Sequence, residues 1–459
     1  MLSRPTHSYA ATLIVALLTP LPHPAWAAPA TLTGKVISSD GASLRARVVI
    51  ATEDWKKSQV AFTDEKGMYR LSFQSGKCVV AASHGFEYSI AEHAIELAPG
   101  RNTLDFRLDR LLDMSRLGWH CGDVHMHSKR GGGAQQPAAL ARAARCEGLD
   151  WAVLTDTNTT AGLNDWRAQA SPDFVPLAGQ EIATPRGQIL ALGITDAIDS
   201  DTSNGANDMY RIWIQIGAQG GLTAIARPNA PGAAYRDWDL KAYDAIQTLN
   251  GALPAYGGGF DMLQGLRRWY DLLNAGERPV AVGGSDNRDI TGAPLRRLLE
   301  NPSDAAKKDA DIRLALRALD AEALRPFVRG GGYLGAVRTY VHCSEPDPDA
   351  ILTALRGGPT FVTTGPLLLA TVDGTLPGET VDSRGTNAVP ITLEAVSNRA
   401  LERIDIVADG EVVRSIPGAQ LRRIERTLEL PLAGRRWLVV ECRGTWPDIA
   451  VTNAWRLQP

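Results

Sequence analysis

Histidine is scarce in this sequence: His7, His23, His84, His93, His120, His125, His127 and His342 are the only eight among 459 residues. That excludes a metal cluster held mainly through imidazoles. There is no basic excess either, since Lys+Arg 48 against Asp+Glu 51 gives a formal net charge of −3. The balance leaves no electrostatic footprint for nucleic acid, and 6% aromatic residues are too few for stacking platforms. The five cysteines, Cys78, Cys121, Cys146, Cys343 and Cys442, form no Cys-x-x-Cys pair, which argues against a thiolate zinc site. No Gly-x-Ser-x-Gly elbow is present, and Gly257-Gly-Gly259 and Gly330-Gly-Gly332 lack a following Lys-Ser/Thr. A serine hydrolase elbow and a nucleotide-phosphate cradle are therefore unsupported.

Long apolar runs are also missing. The longest near the N-terminus, residues 9–18, falls short of the ~20 residues of a membrane span. It follows Arg4 and His7 and precedes Pro20, Pro22, Pro24 and Ala25-Trp-Ala27. A basic start, a short apolar core and an Ala-x-Ala site predict a secretory signal peptide over 1–27. The mature protein is then expected in the periplasm or outside the cell, with no transmembrane segment after cleavage.

What the chain does have is strand-forming sequence in abundance. Its length exceeds the ~250–300 residues at which single cores stop growing, so several domains are expected. Residues 30–110 carry short alternating strands and the hairpin turn Asp64-Glu-Lys-Gly67, which predicts a small β-sandwich. Gly34-Lys-Val36, the Asp64-to-Tyr69 hairpin and Leu104-Asp-Phe-Arg-Leu108 resemble the carboxypeptidase regulatory-like domain, which implies an accessory module. Residues 115–345 alternate apolar strands with helical segments such as Pro137-Ala-Ala-Leu-Ala-Arg-Ala-Ala-Arg-Cys146. That pattern predicts an α/β unit with a parallel, barrel-like sheet and its function at the C-terminal strand ends. Residues 290–330 read as a hydrophilic and then helical insertion. Residues 366–459 return to strands and predict a second β-sandwich.

The motif richest in chemistry is Gly122-Asp-Val-His-Met-His-Ser128. Residues two apart on a strand share a face, so His125 and His127 can serve one metal ion from a single strand end. Asp123 is better suited to supporting those ligands than to binding. His120 and His342 read as structural.

With the stretch Gly148-Leu-Asp-Trp-Ala-Val-Leu-Thr-Asp-Thr-Asn158, this motif resembles the PHP (polymerase and histidinol phosphatase) superfamily. The later block Arg338-Thr-Tyr-Val, 350–366, Val372-Asp-Gly and Pro377-Gly resembles its CehA/McbA (carbaryl-hydrolase-like) branch. The resemblance covers most of 115–459. It implies a distorted PHP-type β/α barrel and a metal-dependent hydrolase of phosphoesters or related esters. It also implies that Glu181 and Asp286 complete a site with His125 and His127, holding one divalent ion (Zn, Mn or Fe), with Asp286 alternatively acting as base.

Four family histidines are replaced here, by Thr157, Gln188, Arg227 and Arg288, so a full three-metal site is not expected. Arg227 and Arg288 either grip a small anionic substrate through paired hydrogen bonds or neutralise Asp156, Glu181 or Asp286. In the first case the chain is a hydrolase with a reduced site. In the second it is an inactive binding or scaffold protein of the cell envelope.

Overall fold

The computed structural model describes residues 28–53, 57–201, 206–229, 234–251, 264–291, 334–382, 388–445 and 448–458. The leader read at 1–27 and nearly all of the insertion read at 290–330 lie outside them.

The N-terminal strands are β1 (Pro29–Ser38), β2 (Arg47–Ala51), β3 (Ser58–Phe62), β4 (Met68–Gln74), β5 (Gly76–Ser83), β6 (Ala91–Leu97), β7 (Gly100–Thr103) and β8 (Phe106–Leu108). They form two four-stranded sheets, one of β4-β1-β7 with β8 also on β1, the other β3-β2-β5-β6. Along β1 every second side chain is buried, as a strand with one face on a core requires. Leu32, Val36, Val48, Ile50, Val80 and Phe106 share that core.

The central elements are β9 (Trp119–Met126), α1 (Pro137–Cys146), β10 (Trp151–Leu154), α2 (Leu163–Arg167), β11 (Val175–Thr184), β12 (Gly187–Leu192), α3 (Ala206–Ala218), β13 (Leu222–Ala226), β14 (Ala245–Asn250), α4 (Gln264–Asn274), β15 (Val280–Gly284), β16 (Arg338–His342), α5 (Pro348–Gly357) and β17 (Thr360–Thr363). Strand order runs β15-β14-β13-β12-β11-β10-β9-β16-β17. The sheet is curled: Met126 bridges Asn287 just beyond β15, and the His127 N–H donates to the Asn287 carbonyl at 2.9 Å. The end of β15 therefore lies against the end of β9.

Two expectations need correction. The sheet is mixed, not parallel, and strands far outnumber helices among the described residues. β9, β10 and β11 run parallel, as do β13, β14 and β15, but β12 is antiparallel to both of its neighbours. The cause is local. Thr184 pairs with Gly187 across a two-residue turn, too short for the crossover a parallel strand needs.

The C-terminal strands are β18 (Leu367–Val372), β19 (Thr380–Asp382), β20 (Val389–Val396), β21 (Leu401–Ala408), β22 (Glu411–Pro417), β23 (Arg423–Leu430), β24 (Trp437–Gly444), β25 (Ile449–Thr452) and β26 (Trp455–Gln458). They were expected as a separate sandwich. Instead β25 pairs antiparallel with β17 through Phe361–Thr452, Val362–Val451 and Thr363–Ala450, so the central sheet continues through β25, β24, β21 and β22. Among the described residues only β18-β20-β23 forms a second sheet there. Leu367, Ile391, Ile404, Val440 and Trp455 join Met126, Leu140 and Leu154 in one apolar core. All five cysteines are free thiols, four of them buried.

Candidate metal centre

Four of the residues singled out in the sequence meet at one end of the curled sheet. His125 is the last but one residue of β9 and His127 follows the strand, Glu181 sits within β11, and Asp286 follows β15. All four are buried, with side chains no more than 2% exposed. The His125 Nε2 lies 3.5 Å from Glu181 Oε1 and 3.5 Å from Asp286 Oδ1. The His127 Nε2 lies 3.1 Å from Asp286 Oδ1 and 3.8 Å from Glu181 Oε2. Ligand atoms of His125, His127 and Glu181 all fall within 4.8 Å of one another.

These spacings suit a cation. Donors at 2.0–2.2 Å from a tetrahedral ion stand about 3.3–3.6 Å apart. Two of the atoms have nothing else to bond: His125 Nε2 and Glu181 Oε1 are buried without a hydrogen-bond partner among the described residues. A buried polar atom left so is costly unless something fills its valence.

The other side of each ligand is braced. His125 Nδ1 lies 3.2 Å from Gln247 Oε1. The Gln247 amide is oriented by its own Nε2, which donates to the Gly284 carbonyl, and by Asn250 Nδ2, which donates to the same Oε1. Gln247 therefore presents an acceptor, places the His125 proton on Nδ1 and leaves the Nε2 lone pair facing Glu181. Glu181 Oε2 accepts from the Thr157 hydroxyl at 2.6 Å, and that hydroxyl is 3.5 Å from His127 Nδ1. Neither bracing role was drawn from the sequence. Gln247 is signalled there only as a polar residue inside the apolar stretch Ala245-Ile-Gln-Thr-Leu249.

Asp123 stands behind the cage. Its Oδ1 accepts the His125 and Ser285 N–H groups at 3.0 and 2.9 Å, and its Oδ2 accepts the Gly335 N–H and the Ser285 hydroxyl. One carboxylate thus ties the ends of β9 and β15 together. The Asp286 backbone is left-handed, with φ of 49°, and Arg227 after β13 has φ of 45°. Such conformations cost of order 1 kcal/mol or more for residues other than glycine. Both strained residues turn toward the same place.

The electrostatics follow from the geometry. Burial opposes charge on His125, but Asp286 and Glu181 outweigh it and raise its pKa. Burial would raise the Glu181 carboxyl too, yet the nearness of His125, with the charge of His127, holds it low, at about 2. Asp286 is likewise held well below the usual carboxylate range, the charges of His125, His127 and Arg288 overcoming its burial.

Both arginines arrive, unequally. Arg288 Nη2 is 3.3 Å from Asp286 Oδ1 and 3.5 Å from Glu181 Oε2. Arg227 Nη1 is 3.8 Å from Asp286 Oδ2. Neither meets Asp156, whose oxygens accept the Ser128 N–H and hydroxyl at 2.6 Å. The Arg288 guanidinium passes Gly132, where an added Cβ would stand 2.5 Å from Nη1 and where φ is +106°. Gln188 lies on β12 with its Oε1 buried and unpartnered. His120 faces Asp150 at 3.9 Å and His342 stacks edge-on to Trp119, so neither joins the cage.

No family model matches this chain. No curated protein matches it either. Among solved structures, a two-domain protein of Bacteroides vulgatus with an assigned PHP-like metal-dependent phosphoesterase unit is similar over 70% of this chain and 90% of its own, at 14% identity and a TM-score of 0.38. An assigned metal-dependent phosphoesterase of Bifidobacterium adolescentis shares 15% identity over 36% of this chain and 87% of its own, with a TM-score of 0.29. An amidohydrolase of Chromobacterium violaceum, solved with sulfate and no metal, shares 15% identity over 37% and 87%, with a TM-score of 0.28. At such scores the likenesses assign no activity.

Proposed function

We propose that this chain is a metal-dependent hydrolase of anionic esters, phosphoesters foremost, in which one divalent ion (Zn, Mn or Fe) is held by His125, His127, Glu181 and Asp286. The observation that carries this reading is the pair of buried, partnerless ligand atoms, His125 Nε2 and Glu181 Oε1, facing each other at 3.5 Å with Gln247 fixing the opposite nitrogen. An ion held there supplies Lewis-acid polarisation and a water of pKa near ~7.

The protein's own groups do the rest. Two carboxylates, Glu181 and Asp286, are matched by two guanidiniums, Arg227 and Arg288, so an added dication gives the site a positive surplus that favours an anionic substrate. Arg227 and Arg288 bind and orient its anionic oxygens. Asp286 Oδ1 is crowded by both imidazoles and Arg288, which suits it to holding a cation better than to accepting a proton. The arrangement fits a PHP-type barrel of the CehA/McbA branch with its histidine set reduced. The sequence of the leader 1–27 supports a periplasmic or secreted location.

A second reading is favoured by one contact. Arg288 already lies on both carboxylates, and a cage closed in that way would serve an inactive binding or scaffold protein of the envelope. Elemental analysis of the purified protein, with phosphomonoesterase and phosphodiesterase assays after reconstitution with Zn, Mn and Fe, decides between them. Bound metal near one equivalent and activity abolished by Glu181→Ala support the hydrolase. A metal-free protein that takes up no ion and hydrolyses neither ester class overturns it.

A further inference from the structure

A second cavity lies at the opposite end of β15 from Asp286. Six residues of chain, about 3.3 Å each in a strand, separate Val280 on its wall from Asp286, or roughly 20 Å. Its volume is ≈300 Å³, and it is walled by the α4–β15 connection, the end of α5, and strands β19, β24 and β26.

Four arginines line it: Arg278, Arg356, Arg436 and Arg456. They come from four separate segments, so no single local sequence preference gathers them. Among the described residues Glu277 is the one acid on the wall, and it is taken by the Tyr243 hydroxyl and by Lys241 Nζ at 3.3 Å. Arg436 reaches Asp409 at 3.6 Å and the Asn274 carbonyl at 2.9 Å. Arg356 donates to the Gly220 and Gly221 carbonyls, which leaves its charge unmatched. Among the described residues neither Arg278 nor Arg456 has an ion pair or a side-chain hydrogen bond. Burial and then the Arg278 charge press Arg456 below the usual guanidinium range. Arg278 and Arg456 are thus like charges with no counter-charge from the described residues.

The floor beneath them is rigid and apolar. Trp437, Trp455 and Leu457 are buried, and the Trp455 and Trp437 indole N–H groups are spent on the Thr375 carbonyl and on Asn274 Oδ1. Asn453 Nδ2 donates to the Gly358 carbonyl at 2.9 Å and pins the neighbouring wall.

We propose that this cavity is a second binding site, for a small oxyanion of at least two negative charges, clasped between Arg278 and Arg456 with Arg356 and Arg436 at its margin. Planar guanidiniums match the paired oxygens of phosphoryl and carboxylate groups, and they stay charged at every physiological pH. The volume sits at the small end of ligand pockets and suits a compact metabolite-sized anion. This site is independent of the metal cage.

The test uses the full chain treated with EDTA, so its outcome does not depend on the metal reading. Pyrophosphate and citrate, each against sodium chloride at matched ionic strength, are titrated calorimetrically. Binding of either supports the site, and the preferred one tells phosphoryl from polycarboxylate. The double variant Arg278→Gln/Arg456→Gln is expected to bind at least about tenfold more weakly, as for the loss of charge-assisted contacts. Its melting temperature without anion should be equal to or above that of the parent, because the repulsion is gone. Arg227→Gln should leave the affinity unchanged. Equal affinity in parent and double variant, loss only in Arg227→Gln, or no binding of either anion overturns the proposal. Should the double variant not fold, phenylglyoxal modification of the parent decides: pyrophosphate is expected to protect Arg278 and Arg456, and unchanged modification at both overturns the site.

Discussion

The His125 imidazole is held from behind by Gln247: Nδ1 stands 3.2 Å from the amide oxygen, while Nε2 is turned to Glu181 with no hydrogen-bond partner. A ring bonded on one edge and open on the other behaves as a directed donor. If that relationship serves metal binding, its effects are measurable without knowing the substrate.

Gln247→Ala is expected to weaken metal affinity by about 10–100-fold, as loss of a ligand's bracing group does. His125→Ala should abolish it. Competitive titration against a chromogenic chelator reads both. Parental affinity in Gln247→Ala would remove the amide from the site's design.

Gly132 is the passage through which Arg288 reaches the carboxylates. Gly132→Ala is strained at φ +106° and meets Nη1. It should cost about 1–2 kcal/mol in denaturant melts. If the hydrolase reading holds, it should also raise KM for an anionic ester with less effect on kcat. A change confined to kcat would place Arg288 in the reaction instead of in substrate binding.

Glu87 should contribute a term to stability that falls as pH rises from about 4.5 through 7. Burial, then the Asp150 charge, pushes this carboxyl up to about 7, against hydrogen bonds from the Met114 N–H and the Tyr340 hydroxyl. Asp150 itself, half-buried, is raised to about 6, chiefly by its loss of solvent. The sign is fixed by proton counting. Between the unfolded and folded pKa the native state holds more protons, so the stabilisation is complete below the unfolded pKa and is lost as pH passes the folded one. Glu87 contributes at most roughly 3 kcal/mol. Chemical denaturation of the parent and Glu87→Gln at pH 4.5, 6 and 8 should show the decline as the difference between the two, because His84, held down to about 4 by its burial, pulls the opposite way over the same range. An unaltered slope in that variant would assign the decline elsewhere.

Arg47 on β2 and Glu147 at the end of α1 form a buried pair at 2.6 Å, with 1% and 7% of their side chains exposed. It joins the N-terminal sheets to the central unit. Arg47→Ala leaves a buried carboxylate uncompensated and should cost about 3–5 kcal/mol. Arg47→Ala/Glu147→Ala should recover part of that loss, as a double-mutant cycle would show. A single-variant loss below about 1 kcal/mol would mean that water reaches Glu147.

The sequence was most readable where period and chemistry coincided. His125 and His127 share a strand end, as the i, i+2 spacing requires. The β1 alternation and the Pro137 start of α1 were equally plain. Strand β11 was not read, although it carries Glu181. Pro176, Gly179, Gln180 and Glu181 give it the composition of a loop. Tertiary contacts decide otherwise: a Cβ at Gly179 would stand 2.6 Å from Val153, and the Gln180 amide is satisfied in both directions by Ile198. The direction of β12, not its existence, was missed for want of its partner β11. Arg227 and Arg288 were flagged as charges in place of neutral ligands, but periodicity carries no information on where a guanidinium ends. The continuation of the sheet into 366–459 is a long-range pairing, invisible to any local window.

That pairing of β17 with β25 has a cost for anything that severs it. A chain ending before residue 449 would leave β17 with a row of open N–H and C=O groups, flanked by the apolar side chains of Phe361 and Val362. Such an edge templates self-association. The last strands therefore act as a seal on the half that carries His125 and Asp286, and truncation should yield aggregates in place of a smaller folded protein.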